Sequence, residues 1–153
     1  MHSWRICRRL HAADPLSGRG GLLVAGRWHF KGARLVYSSA TLSLAALELL
    51  VHSDRDLLPS DLIRIEIEIP DDLKIERIDV KALPADWRAY PAPRTLQQVG
   101  DWLSGGASAV LQVPSAVIPE EYNYLLSPGH RDAARIQAVT VADFVLDPRL
   151  SSN

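Results

Sequence analysis

One cysteine, Cys7, stands in 153 residues, which excludes an internal disulfide and fits a reducing compartment. No apolar run approaches the roughly 18 residues needed to span a bilayer, so no membrane-spanning segment is expected. The basic start MHSWRICRRL is not followed by an apolar stretch and a cleavage site, and does not read as a signal peptide. Charge of either sign is in little surplus: 17 Lys and Arg against 18 Asp and Glu leave a formal net charge of -1. No global field therefore recruits nucleic acid or an acidic membrane. The cluster Arg5, Arg8, Arg9 is the one contrary hint, and it reads as a solvated strand edge. A cytoplasmic protein with a single domain over residues 1–153 is the expectation.

Several catalytic motifs are missing too. There is no GxSxG elbow, so a serine-hydrolase reading of Ser115 has no support. Five histidines show neither H-E-x-x-H nor Cys/His ligand spacing, so no metal site is expected. Gly18-Arg19-Gly20-Gly21 matches neither a phosphate-binding loop nor a dinucleotide fingerprint. Cys7 among arginines invites a reactive thiol, but a buried strand thiol fits its setting better.

What is present is globular: 47% hydrophobic and 23% charged residues. Trp4 to Leu10 reads as a short strand, followed by a turn-rich loop from Asp14 to Gly21. Arg34 to Tyr37 reads as a strand. From Ala40 to about Ser53 the chain is helical, with Ser39 or Thr41 as N-cap, and apolar nearly all round, which predicts a buried helix. Residues Leu62 to Ile69 alternate, with Ile63, Ile65, Ile67 and Ile69 on one face and Arg64, Glu66 and Glu68 on the other. Pro70-Asp71-Asp72 turns that strand, and Ile75 to Val80 reads as another. Pro84, Pro91 and Pro93 mark an irregular connection. Thr95 to Gln98 has a capping-box pattern that predicts a helix ending at Gly105-Gly106. Ala109 to Val113 is a buried strand stopped by Pro114, and two apolar clusters from Ile136 to Leu146 predict terminal strands. The sum is an α+β fold with more strands than helices and no βαβ regularity.

Glu48 lies on the helical stretch with Leu44, Ala45, Val51 and His52 as same-face neighbours. A carboxylate on so apolar a face either reaches water or pairs with His52, or it is a catalytic group on a rigid element. Arg27, between Gly26 and Trp28, suits close bidentate approach to phosphate, or an ordinary surface ion pair. Tyr37 can stack on a ring or fill the core. Ser115 follows Pro114 at a strand end, as a cleft residue or a turn hydroxyl.

Together the segments GRW (Gly26 to Trp28), LVYSS (Leu35 to Ser39), LAALELLVH (Leu44 to His52) and PSAVIPEEYNYLLSPGH (Pro114 to His130) resemble the RES domain, a family named for an arginine, a glutamate and a serine. The similarity runs over essentially the whole chain. It places the family's arginine on Arg27, its tyrosine on Tyr37, its glutamate on Glu48 and its serine on Ser115. His29 and Ser127 stand where relatives often have asparagine, both expected beside the site.

The resemblance implies an ADP-ribosyltransferase-like fold of mostly antiparallel strands with few helices. It implies a toxin of a two-gene toxin–antitoxin system that consumes NAD⁺ as substrate without a metal, and a helix-turn-helix antitoxin of the Xre type that masks the cleft. The expected reaction is cleavage of the nicotinamide–ribose bond, with water or phosphate as acceptor. ADP-ribosylation of a protein is the alternative within that chemistry, and a non-catalytic nucleotide- or peptide-binding module is the alternative outside it. In the catalytic reading Glu48 stabilises the oxocarbenium-like ribose and Arg27 anchors the pyrophosphate. Tyr37 stacks on a ring, and Ser115 bonds Glu48, Arg27 or the carboxamide. Of the two loops considered for a protein acceptor, Gly18 to Gly21 and Pro84 to Pro93, only the second offers anchors, Trp87 and Tyr90.

Overall fold

In a computed structural model that describes residues 1–53 and 58–150, the alternating run folds as β3 (Leu62–Glu68). Its isoleucines Ile63, Ile65 and Ile67, continued by Ile69, are 1% exposed or less, as the period-2 pattern requires. The other strands are β1 (His2–Arg8), β2 (Val36–Ser39), β4 (Ile75–Arg77), β5 (Val110–Pro114), β6 (Tyr122–Leu126) and β7 (Gln137–Asp143). They form one sheet in the order β4-β5-β6-β2-β1-β3-β7, antiparallel throughout except between β4 and β5. The α+β class and the mostly antiparallel pairing are as the sequence predicts.

The weak seam of this sheet lies between β1 and β2. β1 pairs with β3 from His2↔Glu68 to Arg8↔Leu62, yet it meets β2 at one residue pair, Trp4↔Ser39. Two half-sheets therefore diverge from a common rung. The β3 isoleucines nevertheless share one core cluster with Val36, Val110, Tyr124 and Leu126 of the other half. The opposite face of that half, through Leu111, Val113 and Leu125, packs against Trp28, Trp87 and Leu96.

Helices are few and short: α1 (Arg19–Leu23), α2 (Leu42–His52), α3 (Arg94–Gln97) and α4 (Asp101–Gly105). Thr41 caps α2, accepting from the Leu44 N–H at 3.0 Å. Against expectation α2 is not buried all round. It packs on β1 and β2 through Leu44, Ala45 and Leu50, while Leu47 is 37% and Val51 57% exposed. An apolar composition without a polar stripe does not reveal which face will be covered.

Other departures have local causes. The Asp14–Gly21 stretch is not all loop, because a left-handed Gly18 (φ +67°) starts α1 at Arg19. The capping box does not form. Pro93 precedes the first turn at Arg94, Thr95 lies inside it, and a 3₁₀ turn at Gln98–Gly100 separates α3 from α4. Strand β4 ends at Arg77, with a 3₁₀ turn over Val80–Ala82. The terminal segment supplies one strand, not two. β6 was not anticipated as a strand, although it is central to the sheet. β1 is an interior strand, so its arginines do not mark a sheet edge. Arg8 pairs with Asp61 and Arg9 with Asp143. Cys7 is half-buried beside the core, and burial pushes its thiol pKa up despite the nearby Arg5.

Truncation in the isoleucine row tests this account of the core. Ile65→Ala should cost about 2–5 kcal/mol, whereas Val141→Thr on exposed β7 should stay within about 0.5 kcal/mol. Urea denaturation of both variants against the parent measures the contrast.

Candidate active site

A cleft of about 580 Å³ opens where β1 and β2 part. One wall is α2, with Glu48 and His52, and the strand residues Trp4 and Arg5 border it. The opposite wall holds Arg27, Tyr37, Arg88 and Tyr90. Of the four residues singled out in the sequence, Arg27, Tyr37 and Glu48 line this space. Ser115 is fully buried immediately behind Glu48.

The carboxylate of Glu48 is tied at one oxygen. Ser115 Oγ donates to Oε1 at 2.8 Å, and Asn123 Nδ2 donates to the same atom at 2.6 Å. Ser115 Oγ in turn accepts from the Val117 and Ile118 N–H groups, both at 3.1 Å, so its own proton is committed to Glu48. This is one of the three partners the sequence allowed for Ser115. The other oxygen, Oε2, has the His52 ring 3.8 Å away. His52 Nδ1 is also 2.8 Å from the Glu48 carbonyl, so the Glu48–His52 pairing the sequence offered is present alongside the two donors at Oε1.

Arg27 is presented by a tight turn closed by the Gly26↔His29 bridge. Its Nη1 donates to the carbonyls of Trp87 at 2.6 Å and Ala89 at 3.1 Å, which fixes the guanidinium plane and leaves Nε and Nη2 for other acceptors. Burial pulls the Arg27 pKa down, and the nearby Glu48 charge works against that pull. Gly26 has to be glycine, since a Cβ there would lie 2.6 Å from the Tyr37 hydroxyl and 2.8 Å from the His29 ring.

The Tyr37 hydroxyl is 2.8 Å from His29 Nδ1 and 3.4 Å from the Trp28 N–H. Burial pushes its pKa far above the usual phenol range. The Trp28 N–H donates to this oxygen, and the Nδ1 contact ties the phenol to the His29 ring, its direction set by the imidazole tautomer. The His29 Nε2 is enclosed without a well-formed hydrogen bond, although the Gly21 and Val24 carbonyls are near enough to favour its charged form. Burial outweighs them and lowers the His29 pKa.

The two departures from the family pattern thus separate. His29 lies beside the cleft and touches Tyr37. Ser127 lies away from it, in a different hollow with Lys31 and Arg34. The candidate anchors separate as well: Trp87 is buried near Trp28, at 6.5 Å between rings, and Tyr90 is 87% exposed on the cleft rim. Sequence reasoning missed Asn123 and Ser39. Asn123 could have been noticed as an amide within the run Tyr122 to Leu126, whereas Ser39, beside Ser38 at a strand end, carried no signal. Among the described residues no group of three or more His, Cys, Asp or Glu is arranged to hold a metal ion, and no helix is long and apolar enough to cross a membrane.

Arg27 and Glu48 line one cleft in a chain that belongs to a known family: the RES domain model matches residues 2–147, and the chain is a member. A "Prs ADP-ribosylating toxin" of Sphingobium sp. (strain YBL2) is 39% identical over 152 residues, covering 96% of this chain and 94% of the relative. A "Toxin Res" of Photorhabdus laumondii is 38% identical, covering 98% and 97%. Among solved structures, a chain of the M. tuberculosis MbcT–MbcA toxin–antitoxin complex superposes with a TM-score of 0.77 at 16% identity, over 98% of this chain and 86% of that one. That likeness concerns the fold.

The depressed His29 pKa has a stability consequence with a definite sign. As pH falls through about 6.5, the unfolded chain takes up a proton that the folded imidazole resists, so His29 makes folding less favourable on the acid side. The parent should lose thermal stability between pH 7 and pH 5. His29→Asn, which removes the titrating imidazole, should lose less over the same interval. Melting curves at several pH values compare the two slopes.

Proposed function

We propose that this protein is the toxin of a toxin–antitoxin pair and an enzyme that cleaves NAD⁺ at the nicotinamide–ribose bond. The observation that carries the reading is the Glu48 carboxylate, held by two donors at Oε1 and lining the cleft opposite Arg27. A cleft of about 580 Å³ is of the size small-molecule sites have.

When the C–N bond breaks, its electron pair leaves with nicotinamide as a neutral base, and positive charge spreads over the ribose carbon and ring oxygen. A fixed carboxylate stabilises that charge as it develops and needs little reorganisation, which is the economical way to lower the barrier. Arg27 takes the pyrophosphate through Nε and Nη2, holding the dinucleotide so that its ribose meets Glu48. Tyr37, its hydroxyl already engaged, offers its ring for stacking. Ser115 acts through Glu48 and does not touch the substrate. Water or phosphate then adds to the ribose carbon, and water gives up a proton as it does so. A pure binding module is the weaker reading, because a carboxylate facing bound phosphates hinders binding and helps mainly during bond cleavage.

A second reading, transfer of ADP-ribose to a protein, is favoured by Tyr90, exposed on the rim where a macromolecular acceptor would dock, and by the name of the Sphingobium relative. In either reading the partner is a helix-turn-helix antitoxin of the Xre type that masks the cleft, in the cytoplasm, with NAD⁺ as the substrate and no metal. The whole chain 1–153 acts as one such domain.

Purified protein incubated with NAD⁺ should release free nicotinamide, read by chromatography. Glu48→Gln, which keeps the shape and removes the charge, should lower turnover about 100- to 1,000-fold with the fold intact. Arg27→Ala should raise KM as well as lower kcat. Parental turnover by Glu48→Gln would contradict the assignment. Labelled NAD⁺ in lysate separates the acceptors: free ADP-ribose or its phosphorylated form marks breakdown, and one discrete labelled protein, absent with Glu48→Gln, marks protein modification.

A further inference from the structure

We propose that Asn123, locked by Ser39, is a positioning residue that fixes the orientation in which the Glu48 carboxylate meets the substrate; the inference rests on the NAD⁺-cleaving reading of the cleft. Asn123 lies on β6 directly across from Ser39 on β2, and Ser39 is also the residue where β2 meets β1. Both are nearly enclosed, at 9% and 4% exposure. Ser39 Oγ donates to Asn123 Oδ1 at 2.7 Å, which sets the amide so that its nitrogen faces Glu48. Nδ2 then donates to Oε1 at 2.6 Å.

The chemistry of this chain of bonds is directional. A serine hydroxyl has one proton to give, and Ser39 gives it to the amide oxygen. The amide oxygen cannot then turn toward the carboxylate, where two acceptors would repel. With Ser115 on the same Oε1, that atom has two strong donors, and Oε2 is the oxygen left for the ribose. Ser115 alone does not impose this, because a carboxylate held by one hydrogen bond can rotate about it and tilt its free oxygen away from the ribose. The second donor removes the rotation, so Asn123 converts a buried acid into an aimed one.

The test uses three variants of the full chain, with steady-state NAD⁺ cleavage and thermal melts. Asn123→Ala should lower kcat on the order of 10- to 100-fold with KM within about threefold, as expected when a reacting group loses its aim and the binding surface is kept. Asn123→Asp has the same shape and still accepts from Ser39, but it sets a carboxylate against Glu48. It should be at least as impaired at neutral pH and recover on acidification, when a proton shared by the two acids restores the missing donor. The ionisable groups facing this pair are Arg27, Tyr37 and His52, with Arg5 and Arg88 further along the cleft. The parent's own pH profile is therefore the reference for that recovery. Ser39→Ala frees the amide to turn and should cost about 3- to 10-fold in kcat.

A folded Asn123→Ala or Asn123→Asp with parental kcat overturns the proposal, as does an Asn123→Asp whose pH profile tracks the parent's. If the Asn123 variants do not fold, Ser39→Ala decides: a lower kcat at unchanged KM supports the proposal, and a parental kcat overturns it. Absence of NAD⁺ cleavage by the parent itself overturns the underlying reading instead, so the two failures are told apart by the parent control.

Discussion

The structure is organised around one costly object, a carboxylate on the apolar flank of a helix. Glu48 is about one-fifth exposed, and an acid in such a place is expensive unless donors meet it. The donors do not come from its own helix. Ser115 arrives from the end of β5 and Asn123 from the start of β6, and Ser39 at the end of β2 aligns the second of them. The strand order β5-β6-β2 is what brings those three positions side by side, with α2 following directly from β2 to lay Glu48 over them. Seen this way, the seam between the half-sheets and the position of the acid are a single feature, since Ser39 belongs to both.

The opposite wall solves a different problem, that of presenting a cation without letting it swing. Two backbone carbonyls from the Pro84–Pro93 connection hold one nitrogen of Arg27, so a stretch that reads as irregular has a defined task. The turn that carries Arg27 is tight enough that Gly26 tolerates no side chain beside Tyr37 and His29. Tyr37 is fixed by that histidine, and in consequence its face rather than its hydroxyl is available to the cleft.

Much of this was legible in the sequence where a pattern had one physical meaning. Alternation from Leu62 to Ile69 reads as a half-buried strand, and Ser39 or Thr41 before a largely apolar run reads as a helix start, of which the structure uses Thr41. Patterns with two meanings were where reading failed. Tyr122–Leu126 is buried along most of its length, so it has no alternation to distinguish it from a loop-flanked apolar patch. The Thr95 signature lost to Pro93, whose fixed φ begins the turn two residues earlier. For the site, the residue types that carry charge were readable, and Arg27, Tyr37 and Glu48 do line one cleft. Asn123 and Ser39 were not, because a small neutral polar side chain looks the same in a turn as in a hydrogen-bonded core.

The distances along the chain between these partners carry a consequence for synthesis. Glu48 leaves the ribosome long before Ser115 and Asn123, and the strand bearing Asn123 ends only at Leu126. A nascent chain holding α2 but not yet β6 has an acid without its donors and a half-sheet without its central strand. The cleft is therefore assembled only once β6 has been made, and a translation product that stops before Asn123 cannot contain it.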